Sequence, residues 1–241
     1  MPIQPGLSSQ PAVGHQQDAA RERFAWLALL PLLSTGLYYV LPLHLQHDIA
    51  IQFLPQALAA LGLTIWAGHN QAPGRRLGLA SGQIGQGFRW GLITGLLLGG
   101  LNVSVILYLV PLLGGDIAFL RQTPHAQIPT MLMLPWFILF VAGLVELLFR
   151  GFLLGRLLAL LSGGPPPSRG PGAALAIGLS ALVFSFDPFM VVTFKHLHWI
   201  AVSDGLVWGI IWARLRNLYA TIIAHAVEVV IMYSVLKVVL S

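Results

Sequence analysis

The run Val145-Glu146-Leu147-Leu148-Phe149-Arg150-Gly151 places a carboxylate and a guanidinium inside a stretch that is otherwise apolar enough to cross a bilayer. A carboxylate in hydrocarbon is costly unless it is paired, hydrated or neutralised, so Glu146 marks a functional or architectural site. Arg150 follows four residues later, and this spacing puts both side chains on one face of a helix. We therefore expect Glu146 and Arg150 to form a buried pair on a membrane helix.

The composition predicts a polytopic membrane protein, because 56% of the 241 residues are hydrophobic and only 9% are charged. At about 20 residues per span, the length suits about seven or eight spans with short connections. We expect one all-α transmembrane helix bundle over residues 21–241, preceded by a polar, disordered cytoplasmic tail over residues 1–20. The chain has no cysteine, which excludes disulfides and thiolate metal sites.

Hydropathy places the spans, and the basic residues orient them. The Gly- and Pro-rich residues 163–172 cannot continue a helix and predict a loop. With the N-terminus in the cytoplasm, most arginines fall on the cytoplasmic side, as the positive-inside rule requires. The expected location is a bacterial inner membrane or a photosynthetic membrane. Three cations, Arg121, Lys195 and Lys237, remain on the opposite side. The predicted spans are residues 24–43, 49–67, 88–113, 128–149 with a continuation to 161, 172–194, 198–213 and 218–240.

Partners follow from the same pattern of charge. The basic residues are spread singly along the membrane borders, so nucleic acid is not an expected partner. The expected partners are the lipid bilayer and other integral membrane proteins. Glycines at four-residue intervals predict close helix packing, and they occur at Gly91, Gly95 and Gly99, at Gly151 and Gly155, and at Gly205 and Gly209.

Four ionisable groups share a similar predicted depth. Glu146, Asp204 and His225 each lie about 14–15 Å from an arginine at the cytoplasmic border, and Glu228 lies one turn deeper. Facing lipid, such groups would be costly, so we expect them to converge inside the bundle or to line a wet cavity.

Several ways of cutting peptides in a membrane are excluded by residue type. The sequence has no His-Glu-x-x-His motif and no Gly-x-Ser-x-Gly motif. A two-aspartate mechanism needs paired carboxylates, and Asp187 is predicted near the outer membrane edge, away from Asp204. No metal and no cofactor is predicted.

The remaining motifs resemble one family. Glu146-x-x-Phe149-Arg150-Gly151, a later Phe-bearing span, Gly205-x-x-x-Gly209, the turn at residues 214–218 and Ala224-His225-Ala226 are similar to the CPBP intramembrane proteases. That family contains the type II CAAX prenyl endopeptidases and the bacteriocin self-immunity proteins. The resemblance covers roughly residues 128–233. It implies a CPBP-like core there and makes Glu146, Arg150 and His225 the candidate catalytic residues.

The chain departs from the family pattern at three positions. That pattern is Glu-Glu-x-x-x-Arg, then Phe-x-x-x-His, then His-x-x-x-Asn. Val145 stands where the family has the glutamate proposed as general base, Pro188 stands at the histidine of the second motif, and Val229 stands at the asparagine of the third. A displaced copy of the second motif runs from Phe194 to His198.

Several functions therefore stay open, and so does the question of whether the protein is an enzyme. The favoured interpretation is a divergent, non-catalytic membrane subunit or assembly factor that packs against other transmembrane segments. One alternative is an active endopeptidase with a rearranged site built from Glu146, His225 and Glu228. Another is a pigment- or ligand-binding subunit that uses its histidines. A proton-relaying transporter is a fourth interpretation.

Overall fold

A computed structural model describes residues 22–134, 138–162 and 169–240, which are 84% helical and include no strand. The all-α prediction is confirmed. The predicted tail over residues 1–20 and most of the predicted Gly- and Pro-rich loop lie outside the described residues. The helices are α1 Leu29–Tyr38, α2 Leu43–Gln46, α3 Ile49–Gln52, α4 Leu54–His69, α5 Pro73–Leu77, α6 Ile84–Ser104, α7 Val110–Leu112, α8 Pro124–Gln127, α9 Thr130–Leu132, α10 Ile138–Glu146, α11 Gly155–Ser162, α12 Pro171–Ser185, α13 Pro188–Phe194, α14 Ile200–Leu215 and α15 Leu218–Val239.

Three described helical segments are long and apolar enough to cross a membrane: Pro73–Leu112, Ile138–Leu161 and α15. A fourth is counted if α12 and the segment Pro188–Leu197, bent by 53° relative to each other, form one span. The predicted count of seven or eight spans is not confirmed. The other predicted spans fall on shorter helices: α4 and α14 have 16 residues each, or about 24 Å, against a hydrocarbon core about 30 Å thick.

The tightest helix contact joins α6 to α15, and glycines make it possible. A Cβ on Gly91 would lie 2.7 Å from the carbonyl oxygen of Ala220, and one on Gly95 would lie 2.6 Å from that of Ala224. Only glycine, which has no Cβ, allows the two backbones to approach this closely. The predicted packing role of the glycine series on α6 is confirmed, and this face of the helix is used inside the bundle.

The other predicted glycine pairs also lie at internal contacts. A Cβ on Gly155 would lie 3.0 Å from the indole of Trp212, and one on Gly209 would lie 3.0 Å from Ile177. Gly205 lies against Ala181 at the same distance, where α14 packs on α12.

A turn between α14 and α15 fixes the start of the last helix. Arg216 adopts a left-handed conformation with φ 50°, and the backbone N–H of Leu218 donates to the carbonyl of Gly78 at 2.8 Å. Gly78 itself has φ +89°, and a Cβ there would lie 2.9 Å from the carbonyl oxygen of Arg216. Glycine is therefore required at this crossing. The indole N–H of Trp212 donates to the carbonyl of Leu77 at 3.1 Å and fastens the same corner.

Glu22 lies at the start of the described chain, between two arginines. Its carboxylate oxygens lie 2.6 Å from Arg156 Nε and 3.2 Å from Arg76 Nη1, and it accepts a hydrogen bond from Arg156 Nη2 at 3.3 Å. The Arg156 side chain is buried and its guanidinium carbon lies 3.9 Å from the ring centroid of Trp66. The segment before α1 is thereby fastened to the helices that carry the candidate site.

Candidate functional site

Glu146 and Arg150 form the predicted pair. Arg150 Nη1 lies 3.4 Å from Glu146 Oε1, and neither side chain is exposed to solvent. The sequence predicted α-helical spacing here, whereas residues Leu147–Leu154 form a π-helix between α10 and α11. Such wide turns occur frequently at functional sites. The two charges nevertheless stay within reach of each other.

Two aromatic rings enclose the Arg150 guanidinium. Its central carbon lies 4.3 Å from the ring centroid of Phe184 and 5.1 Å from that of Trp208. Cation–π attraction replaces part of the hydration that a buried guanidinium loses. A Cβ on Gly205 would lie 3.4 Å from Arg150 Nη2, so the glycine leaves room for this cation.

His225 lies between the buried pair and a cavity. Its Nδ1 is 3.1 Å from Glu146 Oε1, and its ring stacks on Trp208 with centroids 4.6 Å apart. Beside Arg150, Glu146 acts as a carboxylate, which only accepts, so Nδ1 carries the hydrogen. Nε2 is then the ring nitrogen left for chemistry on the cavity side. The expected apposition of Glu146, Arg150 and His225 is confirmed, whereas a catalytic role for them stays a prediction.

The cavity has a volume of about 690 Å³ and a mainly apolar lining. His225, Asp204 and Glu228 lie along its wall, whereas Glu146 and Arg150 do not. The volume is in the range of small-ligand sites, about 300–1,000 Å³, and an apolar lining with a few polar groups is typical of them.

The family motif positions that the chain has lost face this cavity or border it. Val145 and Val229 both contribute to its lining. Pro188 is buried as the first residue of α13, a position that suits proline because no backbone N–H is needed there. Asp187 caps the same helix, accepting from the N–H of Phe189 at 3.1 Å and from Gln56 Nε2 at 2.7 Å.

The four ionisable groups converge inside the bundle, as the sequence predicts, and form two neighbouring clusters. Asn102 Nδ2 donates to Asp204 Oδ1 at 3.0 Å and to Glu228 Oε1 at 2.8 Å. The amide of Asn102 thus holds the two carboxyl groups next to each other. Their partner is therefore Asn102, and among the described residues neither of them bonds His225. The physical reason is Asn102 on α6, which the glycine contact brings against α15.

The sequence does not predict this pair; it predicts only that Asp187 and Asp204 lie apart. The structure pairs Asp204 with Glu228 on the next helix. Two carboxyl groups in contact share a proton, as they do in aspartic proteases.

A second histidine, His125 on the short helix α8, also lines the cavity. Its ring stacks on Phe194 with centroids 5.7 Å apart. Burial, together with the positive charge that His225 can carry, lowers the pKa of His125. Of the outer histidines considered from the sequence, His198 lines the cavity and bonds the carbonyl of Lys195, whereas His196 is exposed against Phe119.

Asn102 and His125 are the site residues that the sequence analysis missed. Asn102 had a usable signal, since it is a lone amide within the apolar run of α6. A polar side chain at that depth needs a partner. The sequence gives no such signal for His125. This residue lies in the four-residue helix α8, which is too short for periodicity to indicate which way a side chain points.

One family comparison matches this region. A family model described as "Type II CAAX prenyl endopeptidase Rce1-like" matches residues 127–231, which contain Glu146, Arg150 and His225. The match supports the resemblance of this region to the CPBP family of membrane proteins that its motifs indicate. No curated protein and no solved structure matches the chain significantly.

Proposed function

We propose that this chain is a non-catalytic CPBP-family membrane protein, a subunit or assembly factor, whose cavity holds an apolar chain instead of a substrate. The proposal rests on the residues that line the cavity wall. Val145 and Val229 line it at the positions where the family motif has a glutamate and an asparagine. Glu146 is fully buried behind His225. The motif therefore offers no carboxylate to accept a proton from water in the cavity.

The cavity volume limits what can occupy it. An α-helix about 10 Å across rises 1.5 Å per residue, so about 690 Å³ accommodates only about six residues of helix. A narrow apolar chain fits better than a transmembrane helix. Transmembrane segments of a partner would bind at the lipid-facing surface, since the glycine faces of α6 and α14 already pack within the bundle.

The proposed setting is a bacterial inner membrane or a photosynthetic membrane, with the N-terminus in the cytoplasm. Cations concentrated toward the cytoplasmic ends of the helices support this orientation. Arg75, Arg89 and Arg214 are exposed, and the proposed orientation assigns them to the cytoplasmic end and Arg121, Lys195 and Lys237 to the other end.

A cleavage assay tests the proposal. The purified full chain is incubated in vesicles with membrane-anchored peptide reporters, alongside His225→Ala. We expect no cleavage by either protein and stoichiometric co-purification of the wild type with another membrane protein. Cleavage by the wild type that is lost in His225→Ala would overturn the proposal. A Val145→Glu/Val229→Asn variant, which restores two motif positions, serves as the control that the reporters reach the cavity.

A second candidate is an endopeptidase with a relocated site, and the Glu146–His225 hydrogen bond favours it. In this reaction His225 Nε2 takes a proton from water while the water oxygen bonds the scissile carbonyl carbon. The carbon–nitrogen bond then breaks, and the shared proton of Asp204 and Glu228 passes to the leaving nitrogen. His225 then returns the water-derived proton to the carboxyl pair. Aligning Nδ1 on Glu146 positions the imidazole for this role.

Substitutions of the carboxyl pair distinguish the two candidate functions. Asp204→Asn and Glu228→Gln keep the hydrogen bonds but remove the transferable proton. A relocated protease would lose cleavage in both variants while remaining folded. A binding subunit would retain its co-purifying partner in both.

A further inference from the structure

Two exposed cations, Arg121 and Lys237, lie on the rim of the cavity. Both contribute to its lining. Within the described ranges neither is paired with a carboxylate. Among the described residues, Lys237 Nζ donates to two neutral acceptors, the hydroxyl of Tyr233 at 2.8 Å and the carbonyl of Ile128 at 3.4 Å. The rim therefore carries positive charge that is available to a ligand.

The two cations belong to one corner of the molecule. Gln127 Nε2 donates to the carbonyl of Arg121 at 2.7 Å, and the next residue, Ile128, accepts from Lys237. Leu120, next to Arg121, packs in the same apolar cluster as Leu236. A single anionic group at this corner can therefore interact with both side chains.

An apolar passage leads inward from this corner along α15. Leu236, Met232 and Val229 line the cavity between Lys237 and His225. Twelve residues of helix separate these two ends, which is about 18 Å. One leaflet of the hydrocarbon core is about 15 Å thick. The length of the passage thus matches one acyl chain.

The cavity also borders the bilayer. Leu144 and Phe53 line it, and their side chains remain 45% and 41% exposed. Residues that face both the cavity and the surrounding lipid mark a lateral entrance. An acyl chain can enter here without leaving the membrane.

The carboxyl groups along the cavity accept hydrogen bonds from neutral donors. Asn102 holds Asp204 and Glu228, and Gln56 with two backbone N–H groups holds Asp187. All three are buried, whereas Arg121 and Lys237 are exposed. An anion therefore gains the most binding free energy at the rim, because charge-assisted hydrogen bonds to phosphate are stronger than neutral ones.

The geometry points to an anionic glycerophospholipid as the occupant of this cavity. Its phosphate lies at Arg121 and Lys237, and one acyl chain follows α15 past Met232 toward Trp208 and His225. This inference rests on the proposed function, because a protease would keep the same space for a peptide.

Lipid selectivity tests the inference. The full chain is reconstituted in vesicles of equal amounts of phosphatidylglycerol and phosphatidylcholine, and retained lipid is measured by native mass spectrometry. We expect one retained lipid with strong preference for phosphatidylglycerol. In Arg121→Ala/Lys237→Ala the preference should fall about thirtyfold, since each cation near the membrane surface contributes about fivefold. Arg89→Ala/Arg214→Ala, which removes two exposed cations elsewhere, should retain the wild-type preference.

A second variant tests the passage independently of charge. Val229→Trp fills the cavity and should reduce retained lipid of either type, with folding checked by circular dichroism. Equal retention of both lipids by the wild type, an equal loss in the two double variants, or a retained peptide would overturn the inference. The same preparations are assayed with the peptide reporters. Cleavage would overturn the proposed function, whereas unselective lipid binding without cleavage would overturn only the lipid assignment.

Discussion

His225 Nδ1 lies 3.1 Å from Glu146 Oε1, so the imidazole separates a fully buried carboxylate from the cavity. Arg150, the third residue that matches the family motif, contacts the same carboxylate oxygen through Nη1 at 3.4 Å. Of these three residues, only His225 reaches the cavity wall. The retained motif is therefore arranged to hold an imidazole in place, whatever that imidazole does.

Glu146→Gln should destabilise the protein by about 3 kcal/mol, because it leaves the Arg150 guanidinium buried without a counter-charge. Equilibrium unfolding in mixed micelles, followed by tryptophan fluorescence, measures the loss. Glu146→Leu/Arg150→Leu removes both charges and should be more stable than the single variant. A double variant that is less stable than Glu146→Gln would contradict this account of the pair.

Glu22→Gln should also destabilise the protein, by about 2 kcal/mol. This is less than a fully enclosed pair would lose, because Glu22 keeps some contact with solvent. Thermal unfolding in detergent reports the change. Arg76→Ala removes the more exposed partner of the same carboxylate and should cost no more than about 1 kcal/mol. Equal losses in the two variants would mean that burial of Arg156 does not set the cost.

Gly95→Ala should cost about 1–3 kcal/mol or more, because its Cβ would lie 2.6 Å from a backbone oxygen that cannot move aside easily. Gly100 on the same helix has nothing within 4 Å of its missing Cβ and is the matched control. Gly100→Ala should be neutral or stabilise by about 0.5–1 kcal/mol through helix propensity. Similar effects of both substitutions on the unfolding midpoint would rule out the backbone contact as the cause.

Stability should fall on acidification below the ordinary pKa of histidine, partly because of His125. Burial and the charge of His225 lower the pKa of His125 in the folded state. The unfolded chain therefore binds the proton at higher pH, and stability is lost as pH falls through the unfolded value of about 6.5. His125→Gln should flatten this part of the unfolding profile relative to wild type. An unchanged slope would show that other groups control it.

The sequence predicted the Glu146–Arg150–His225 contact because depth along a helix follows directly from residue spacing, and charges at one depth in hydrocarbon must meet. It also predicted the contact that the glycines of α6 make, since only small residues at that interval permit it. It did not predict that Asp204 and Glu228 would bond to Asn102, because that depends on the rotation of three helices against one another. The number of spans was not confirmed for a similar reason: hydropathy does not distinguish a full crossing from a buried helix of 16 residues such as α14.

The contact between α6 and α15 also determines when the protein can become complete. Asn102 and Glu228, which meet across it, are 126 residues apart in the chain. Membrane helices are inserted from the N-terminus onward, so α6 waits in the bilayer until α15 has been synthesised. The carboxyl pair, the position of His225 and the cavity wall all form only after α15 is inserted. A ribosome stalled shortly before α15 would therefore leave the helices without this cavity.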